Sequence, residues 1–260
     1  MKRNIVLLFV CLVAPMLVQA QKENKTTLNI VYIGNSITQG ALLSHPETEA
    51  PPAQTSAWLR QRPGIAAVEY ANQGVSGSTT VDFLPASHTL FPKVQQAAEA
   101  LSQKQPKATL VFSLMLGTND SAVKGPNGSP VSAVQYYTNV KVIVDELINL
   151  YPNSRVVIHR PLWYSPNTYN SAIYLTEGLR RIESYYPQLQ TLVQQYAQSH
   201  PRHVFLGDTE AFEVLKSNYQ ALFTPETDGN AGTFYLHPNL QGAALLSEYW
   251  GKAIEQALDR

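Results

Sequence analysis

The chain has 260 residues, of which 19 are lysine or arginine and 19 are aspartate or glutamate, so its formal net charge is zero. This balance does not favour binding to nucleic acid or to an anionic membrane surface, both of which require an excess of basic residues. The single cysteine, Cys11, lies in a segment that we expect to be removed, which excludes disulfides, a thiol nucleophile and cysteine metal ligands from the mature protein.

The first twenty residues predict a secretory signal peptide. Lys2 and Arg3 precede an apolar stretch from Ile5 to Leu17, and the small-residue site Val18-Gln19-Ala20 follows. Cleavage after Ala20 leaves residues 21–260, for which we predict one domain, because single α/β domains commonly reach about 200–250 residues. The apolar stretch is shorter than the roughly 20 residues of a membrane span, and no later segment approaches one. We therefore expect an exported protein, periplasmic or extracellular, without an integral membrane segment.

After the leader, apolar runs alternate with helical patterns, which predicts a parallel sheet covered on both faces, a three-layer α/β/α fold. The predicted strands are Leu28–Ile33, Ala67–Ala71, Ala108–Leu116, Arg155–His159 and His203–Leu206. The predicted helices are Thr55–Gln61, Lys93–Gln103, Val131–Leu150, Ala172–Gln198 and Leu240–Leu258. Four irregular stretches, 41–52, 121–130, 163–170 and 224–233, are expected to lie at the carboxyl edge of the sheet.

The turn Gly34-Asn35-Ser36-Ile37-Thr38 directly follows the first predicted strand. Ligands of α/β proteins bind at the carboxyl ends of parallel strands, and a serine there lies beside the free N–H groups of the next helix. We predict that Ser36 is a nucleophile. A serine hydroxyl needs a base to take its proton, and His237, just before the terminal helix, is the candidate. The other histidines do not suggest a metal site, since His200 and His203 have no carboxylate ligand nearby.

Three further segments follow this turn in order: Asn72-Gln73-Gly74, Leu116-Gly117-Thr118-Asn119-Asp120 and Leu236-His237-Pro238-Asn239. Together the four segments resemble the motif blocks of the SGNH (GDSL-type) hydrolase family, and the similarity runs from about Leu28 to the C-terminal helix. The resemblance implies a doubly wound, five-stranded parallel sheet of the flavodoxin-like type. It also implies a Ser–His(–Asp) esterase that uses neither metal nor organic cofactor. The oxyanion donors of the family map to Ser36, Gly74 and Asn119.

The third member of the catalytic triad departs from the family pattern. The family usually has an aspartate three residues before the histidine, where this chain has Phe234. Asp228 is the nearest upstream carboxylate, and an insertion over 229–233 would let it loop back towards His237. We therefore predict Asp228 as the partner of the histidine, with Glu226, Asp208, and a backbone carbonyl or water as the alternatives. Asp120 is expected to form local hydrogen bonds rather than to act as a catalytic acid.

The resemblance to exported carbohydrate esterases makes short-chain, acetyl-type esters on carbohydrates the expected substrates, so the partner is a small-molecule or glycan ester. Four aromatic residues after the fourth strand, Trp163, Tyr164, Tyr169 and Tyr174, are a weak indication of a sugar-binding surface. One alternative is a lipid esterase, lysophospholipase or thioesterase of the same family. Another is a non-catalytic carbohydrate-binding protein on a hydrolase scaffold, which Phe234 suggests. The sequence does not predict the oligomeric state.

Overall fold

The computed structural model describes residues 25–259, so the predicted signal peptide and Cys11 lie outside the described residues. Five strands form the central sheet: β1 (Thr26–Gly34), β2 (Ile65–Gly74), β3 (Thr109–Met115), β4 (Arg155–Ile158) and β5 (Val204–Leu206). All neighbouring pairs are parallel, and the strand order is β2-β1-β3-β4-β5. The predicted doubly wound α/β fold is confirmed, and each predicted strand overlaps an observed one.

Nine helices connect and cover the strands within the described part of the chain. They are α1 (Ser36–Gln39), α2 (Pro46–Glu49), α3 (Pro51–Arg60), α4 (Phe91–Lys104), α5 (Ala133–Leu150), α6 (Leu175–Ser199), α7 (Ala211–Ser217), α8 (Tyr219–Leu222) and α9 (Leu240–Asp259). The five long helices were predicted from periodicity, whereas the short helices α1, α2, α7 and α8 were not. Three of these short helices have four residues and α7 has seven, which is about two turns at most and too few for a periodic pattern to be visible.

The two layers of helices follow from the handedness of the crossovers. The chain moves from β1 outward to β2, then returns past β1 to β3 and continues in the other direction. Because parallel crossovers are right-handed, this reversal puts α3 on one face of the sheet and α4, α5 and α6 on the other. The packing agrees, since α3 contacts α9 and α5 contacts α6. Residues 28–33 of β1 are all buried between the two layers.

The reversal also creates the crevice in which the candidate site lies. Connections leave β1 and β3 towards opposite faces, so the carboxyl ends of these two neighbouring strands diverge. The segments that follow β1, β2 and β3 therefore meet at one edge of the sheet. This is the edge at which the sequence predicted the catalytic residues.

A second, two-stranded sheet was missed by the sequence prediction. Strands β6 (Phe223–Glu226) and β7 (Phe234–Pro238) pair antiparallel, with Glu226 opposite Phe234. The sequence pattern predicts an irregular stretch over 224–233 in place of this hairpin. The hairpin signal was present, because two short runs with aromatic residues flank a turn that contains Gly229 and Gly232. This hairpin carries two groups of the candidate site.

Candidate active site

Ser36 lies where β1 turns into α1, at the position that the sequence predicted. The turn is so tight that a Cβ on Gly34 would lie 2.0 Å from Thr38 Oγ1, which explains the glycine before the serine. Asn35 is the N-cap of α1, and its Oδ1 accepts the N–H of Ile37 at 3.1 Å. Ser36 is therefore not used as a helix cap. Its hydroxyl and its own N–H are left for other partners.

His237 lies at the end of β7, and its Nε2 is 2.9 Å from Ser36 Oγ. The serine and the histidine are 201 positions apart in the chain, and the docking of the hairpin against α1 brings them together. The distance is within the range of a direct hydrogen bond. A proton can therefore pass from the hydroxyl to the ring without an intervening water.

Glu226, and not the predicted Asp228, is the carboxylate beside the histidine. Its Oε1 is 2.9 Å from His237 Nδ1 and also accepts the backbone N–H of His237 at 3.2 Å. Asp228 lies exposed in the hairpin turn. Asp208 instead binds the start of α7, where its Oδ1 accepts the N–H groups of Glu210 and Ala211 at 2.9 and 3.1 Å. The structure therefore corrects the prediction of Asp228.

The register of the hairpin explains this correction. Glu226 lies directly across from Phe234, the residue that stands where the family usually has its aspartate. The carboxylate therefore reaches the histidine from the neighbouring strand, and Phe234 is free to pack in the core, where it is fully buried. The side chains of Glu226 and His237 are only 10% and 11% exposed, so water competes little for their hydrogen bond. Because the carboxylate accepts a hydrogen bond from Nδ1–H, Nε2 carries the lone pair that faces Ser36.

The sequence predicted Gly74 as an oxyanion donor, but its N–H is already bonded within its own strand. Its N–H donates to Asn72 Oδ1 at 2.9 Å, and a Cβ there would lie 2.3 Å from the backbone nitrogen of Gln39. Gly74 is thus a glycine because β2 packs closely on α1. Gly77, three residues later, lines the cavity beside Ser36 and has a φ of +79°. No acceptor within residues 25–259 takes its N–H.

The sequence Gln73-Gly74-Val75-Ser76-Gly77 contains both glycines, and sequence alone gave no reason to prefer the second. Which glycine has a free N–H at the cavity depends on the conformation of the loop after β2. Gln39 Oε1 accepts the N–H of Ser76 at 2.8 Å, which links this loop to α1, the helix that begins at Ser36. The N–H groups of Ser36 and Gly77 are both without an acceptor in the described part of the chain. Two free donors therefore flank the cavity.

Asn119, the third residue that the resemblance assigns to the oxyanion donors, lies at the same cavity. Its Nδ2 donates to the carbonyl oxygen of Ser78 at 2.8 Å, and its Oδ1 accepts the hydroxyl of Tyr174 at 2.6 Å. Because an amide carries two N–H hydrogens, one remains unused by these contacts. Asn119 also lines the cavity. The neighbouring Asp120 has a local role, as expected: it is fully buried and accepts the N–H of Thr80 at 2.9 Å.

Burial raises the pKa of Asp120 to about 6, while the hydrogen bonds from Thr80 act in the opposite direction. Its contact with Thr80 joins the loop that carries Gly77 to the loop that carries Asn119. Asn139 on α5 donates to Thr80 Oγ1 at 2.8 Å and so also holds the contact between these two loops. The relative position of the two donors is therefore set by buried polar contacts rather than by mobile side chains.

A cavity of about 510 Å³ opens in front of these groups. Most of its lining residues are small, and none is lysine, arginine, aspartate or glutamate: Ser36, Ala41, Ser76, Gly77, Asn119, Gly125, Pro126, Asn170, Ser171, Ala172, Tyr174, Leu236 and His237. The predicted aromatic surface is not formed, because Trp163, Tyr164 and Tyr174 are at most 6% exposed. Those rings pack in the core, and of the four aromatic residues only Tyr174 reaches the cavity wall.

Two further findings concern the described residues only. Within 25–259 the structure has no group of three or more histidine, cysteine, aspartate or glutamate side chains that could hold a metal ion. None of the helices described is long and apolar enough to span a bilayer.

Comparisons with known proteins identify the family and the fold of this chain. The family model described as the GDSL-like lipase/acylhydrolase family matches residues 32–245. One similar solved structure is a carbohydrate acetylesterase from Sinorhizobium meliloti, with 16% identity, 88% of this chain and 98% of that chain covered, and a TM-score of 0.58. Another is the native aryl esterase of M. smegmatis, with 16% identity, 88% and 99% coverage and a TM-score of 0.57.

A third is a two-domain esterase active on acetylated mannans, with 16% identity, 92% of this chain and 51% of that chain covered, and a TM-score of 0.52. A comparison with curated proteins gave no match. At these identities the structural likeness shows the fold. The match of the family model covers most of the chain and contains every group of the candidate site.

Proposed function

We propose, from the premise that this chain belongs to the GDSL-like lipase/acylhydrolase family and is a carboxylic ester hydrolase, that it removes short acyl groups, chiefly acetyl, from carbohydrate esters. The observation that carries the mechanism is the chain of contacts Ser36–His237–Glu226, with 2.9 Å at each link, at the edge of a cavity flanked by free N–H donors.

In the proposed reaction Ser36 Oγ attacks the ester carbonyl carbon while its proton moves to His237 Nε2. Glu226 accepts the Nδ1–H throughout, which holds the ring in the required tautomer and stabilises the imidazolium. The negative charge on the former carbonyl oxygen is met by the N–H groups of Ser36 and Gly77 and by the free amide hydrogen of Asn119. Each such donor typically contributes about 2.7–4 kcal/mol to the transition state.

Collapse of the tetrahedral intermediate breaks the bond to the alcohol oxygen, which takes the proton from His237 Nε2 and leaves as the free hydroxyl. The acetyl group remains on Ser36 Oγ. A water then attacks the acyl carbon while its proton moves to His237 Nε2. The bond between the acyl carbon and Ser36 Oγ breaks, Oγ takes the proton back from Nε2, and acetic acid is released. No oxidant, reductant or metal is consumed in either half of this cycle.

The chemistry of the lining supports a short acyl group and an uncharged leaving group. Many residues around Ser36 are small, with Ala41, Gly77, Gly125 and Ala172 among them, and the cavity volume of about 510 Å³ lies in the lower half of the usual range for ligand cavities. A lysophospholipid or a coenzyme A thioester carries phosphate, for which a basic residue would be the usual contact. Neutral hydroxyl and amide groups, such as those of Ser76, Asn170 and Ser171, suit the hydroxyls of a sugar.

The names of two similar structures, a carbohydrate acetylesterase and an esterase active on acetylated mannans, lend further support to this choice of substrate. The predicted signal peptide over residues 1–20 supports export, and we propose that the protein acts in the periplasm or outside the cell. The mass of the protein purified after expression with its leader tests this, since cleavage after Ala20 predicts a chain that begins at Gln21.

The experiment is hydrolysis of p-nitrophenyl esters from acetate to octanoate, together with acetate release from an acetylated oligosaccharide, by the wild type and Ser36→Ala. We expect the highest kcat/KM with acetate, release of acetate from the sugar, and loss of both activities in the variant. Activity that rises with acyl length would favour a lipid esterase or thioesterase. Binding to the polysaccharide without turnover by the wild type would instead favour the non-catalytic alternative.

A further inference from the structure

The proposed oxyanion donor Asn119 is held by Tyr174, which lies outside the four segments that resemble the family motifs. Tyr174 is 3% exposed, and its hydroxyl is 2.6 Å from Asn119 Oδ1. A buried phenol requires a hydrogen-bond partner, and three neighbouring buried tyrosines find theirs on groups that do not line the cavity. Tyr164 pairs with Ser121 Oγ at 2.8 Å. Tyr136 donates to the carbonyl of Leu116, and Tyr185 donates to the carbonyl of Val131. Tyr174 instead donates to a side chain that lines the cavity.

The contact of Asn119 with the carbonyl of Ser78 determines which group donates in the hydrogen bond between Asn119 and Tyr174. The carbonyl oxygen of Ser78 can only accept, so the atom of Asn119 that faces it at 2.8 Å must be the amide nitrogen. The oxygen of the amide then faces Tyr174, and the phenol must be the donor. With both of these contacts in place the amide cannot flip. Its second N–H hydrogen is therefore held in one direction, on a residue that lines the cavity.

The backbone around Tyr174 is arranged to hold the ring there. The N–H groups of Tyr174 and Leu175 both bond to the carbonyl of Thr168, at 3.2 and 3.1 Å, and close the preceding loop. Leu175 has a φ of +53°, a left-handed conformation that a leucine adopts only when its surroundings impose it. The ring of Tyr164 packs edge-to-face on Tyr174 with centroids 5.3 Å apart. The backbone hydrogen bonds and the packing of Tyr164 together fix the position of the Tyr174 hydroxyl.

We propose that Tyr174 is a positioning residue of the esterase, which acts by fixing the Asn119 amide so that its free N–H is aimed at the oxyanion. The proposal rests on the proposed function, because it assigns a task within that reaction. The hydroxyl contributes through Asn119 and not through contact with the substrate. It therefore affects turnover and leaves ground-state binding nearly unchanged.

The test is a double-mutant cycle with Tyr174→Phe, Asn119→Ala and the double variant, assayed on p-nitrophenyl acetate. Loss of an oxyanion donor lowers kcat about 10²- to 10³-fold, so we expect that effect for Asn119→Ala and a loss of roughly tenfold for Tyr174→Phe, with KM within about twofold of the wild type. In the Asn119→Ala background Tyr174→Phe should have no further effect on kcat, because the group through which it acts is gone.

Tyr185→Phe is the matched control, because it also removes one buried hydroxyl with a 2.6 Å hydrogen bond, but from a backbone carbonyl. We expect it to leave kcat unchanged and to lower Tm about as much as Tyr174→Phe does. The proposal is overturned if Tyr174→Phe keeps the kcat of the wild type, or if its loss persists in full in the Asn119→Ala background. If Ser36→Ala retains activity, the proposed function fails, and the role of Tyr174 fails with it.

Discussion

Two serine–histidine pairs in this protein have the same contact distance and opposite chemistry. Ser36 Oγ lies 2.9 Å from His237 Nε2 at the cavity, and Ser113 Oγ lies 2.9 Å from His159 Nε2 in the core. The two pairs differ at the other ring nitrogen. His237 Nδ1 faces the carboxylate of Glu226 at 2.9 Å, whereas His159 Nδ1 accepts the backbone N–H of Asp208 at 3.0 Å.

The partner at Nδ1 decides what the ring can do at Nε2. His237 carries its hydrogen on Nδ1, so Nε2 accepts the proton of Ser36. His159 must accept at Nδ1, so its Nε2 carries the hydrogen and donates to Ser113. Burial also lowers the pKa of His159 to about 3, so this ring stays neutral at ordinary pH. A serine–histidine distance therefore identifies a nucleophile only when the third group accepts a hydrogen bond from Nδ1–H.

The largest expected difference between the two pairs is in kcat when the serine hydroxyl of each pair is removed. Ser36→Ala should lower kcat on p-nitrophenyl acetate by about 10⁴-fold or more, because the nucleophile is gone. Ser113→Ala should leave kcat within about twofold of the wild type and destabilise the fold by about 1–3 kcal/mol, because the buried Nε2–H of His159 loses its acceptor. Steady-state kinetics and urea unfolding of both variants measure these effects. Comparable activity loss in the two variants would contradict the distinction.

The second effect concerns the carboxylate at Nδ1. Glu226→Gln should lower kcat about 10³-fold, because the amide no longer stabilises the imidazolium and permits the other tautomer. Asp228→Asn, two residues further along the same hairpin and exposed, is the matched control and should keep the kcat of the wild type. The same ester assay applies. If Asp228→Asn were the more damaging change, the assignment of Glu226 would be wrong.

The smallest effect is on the pH dependence of stability. The pKa of His159 is about 3 in the folded protein against an ordinary 6.5, so between these values the unfolded chain binds a proton that the folded chain does not. The stability that depends on neutral His159 is therefore complete above pH 6.5 and is lost as the pH falls towards 3. The expected slope is at most about 1.4 kcal/mol per pH unit.

Asp120 and Asp208 act in the opposite direction, since burial raises the pKa of both from 3.8 to about 6 and the folded protein then holds the extra proton. Comparing the wild type with His159→Gln cancels these two contributions. We expect the free energy of unfolding, from urea titrations at a series of pH values, to fall more steeply below pH 6.5 in the wild type. Parallel curves would show that His159 is not held neutral by the fold.

The sequence was sufficient for the parts of the protein that depend on local pattern. The strands, the long helices and the turn that holds Ser36 follow from apolar periodicity and small polar residues, which are visible in a short window. Glu226 could not be found in this way, because it reaches His237 only through the register of β6 and β7. Gly77 required the backbone conformation after β2, and Tyr174 required contact between residues 55 positions apart.

The most direct test of the account is the proton position on the two histidine rings, read from ¹⁵N chemical shifts in long-range ¹H–¹⁵N spectra at about pH 8, where unperturbed imidazole is neutral. His237→Gln and His159→Gln assign the signals. We predict a hydrogen on Nδ1 of His237 and on Nε2 of His159. The same tautomer on both rings would contradict the claim that the partner at Nδ1 makes one pair reactive and the other structural.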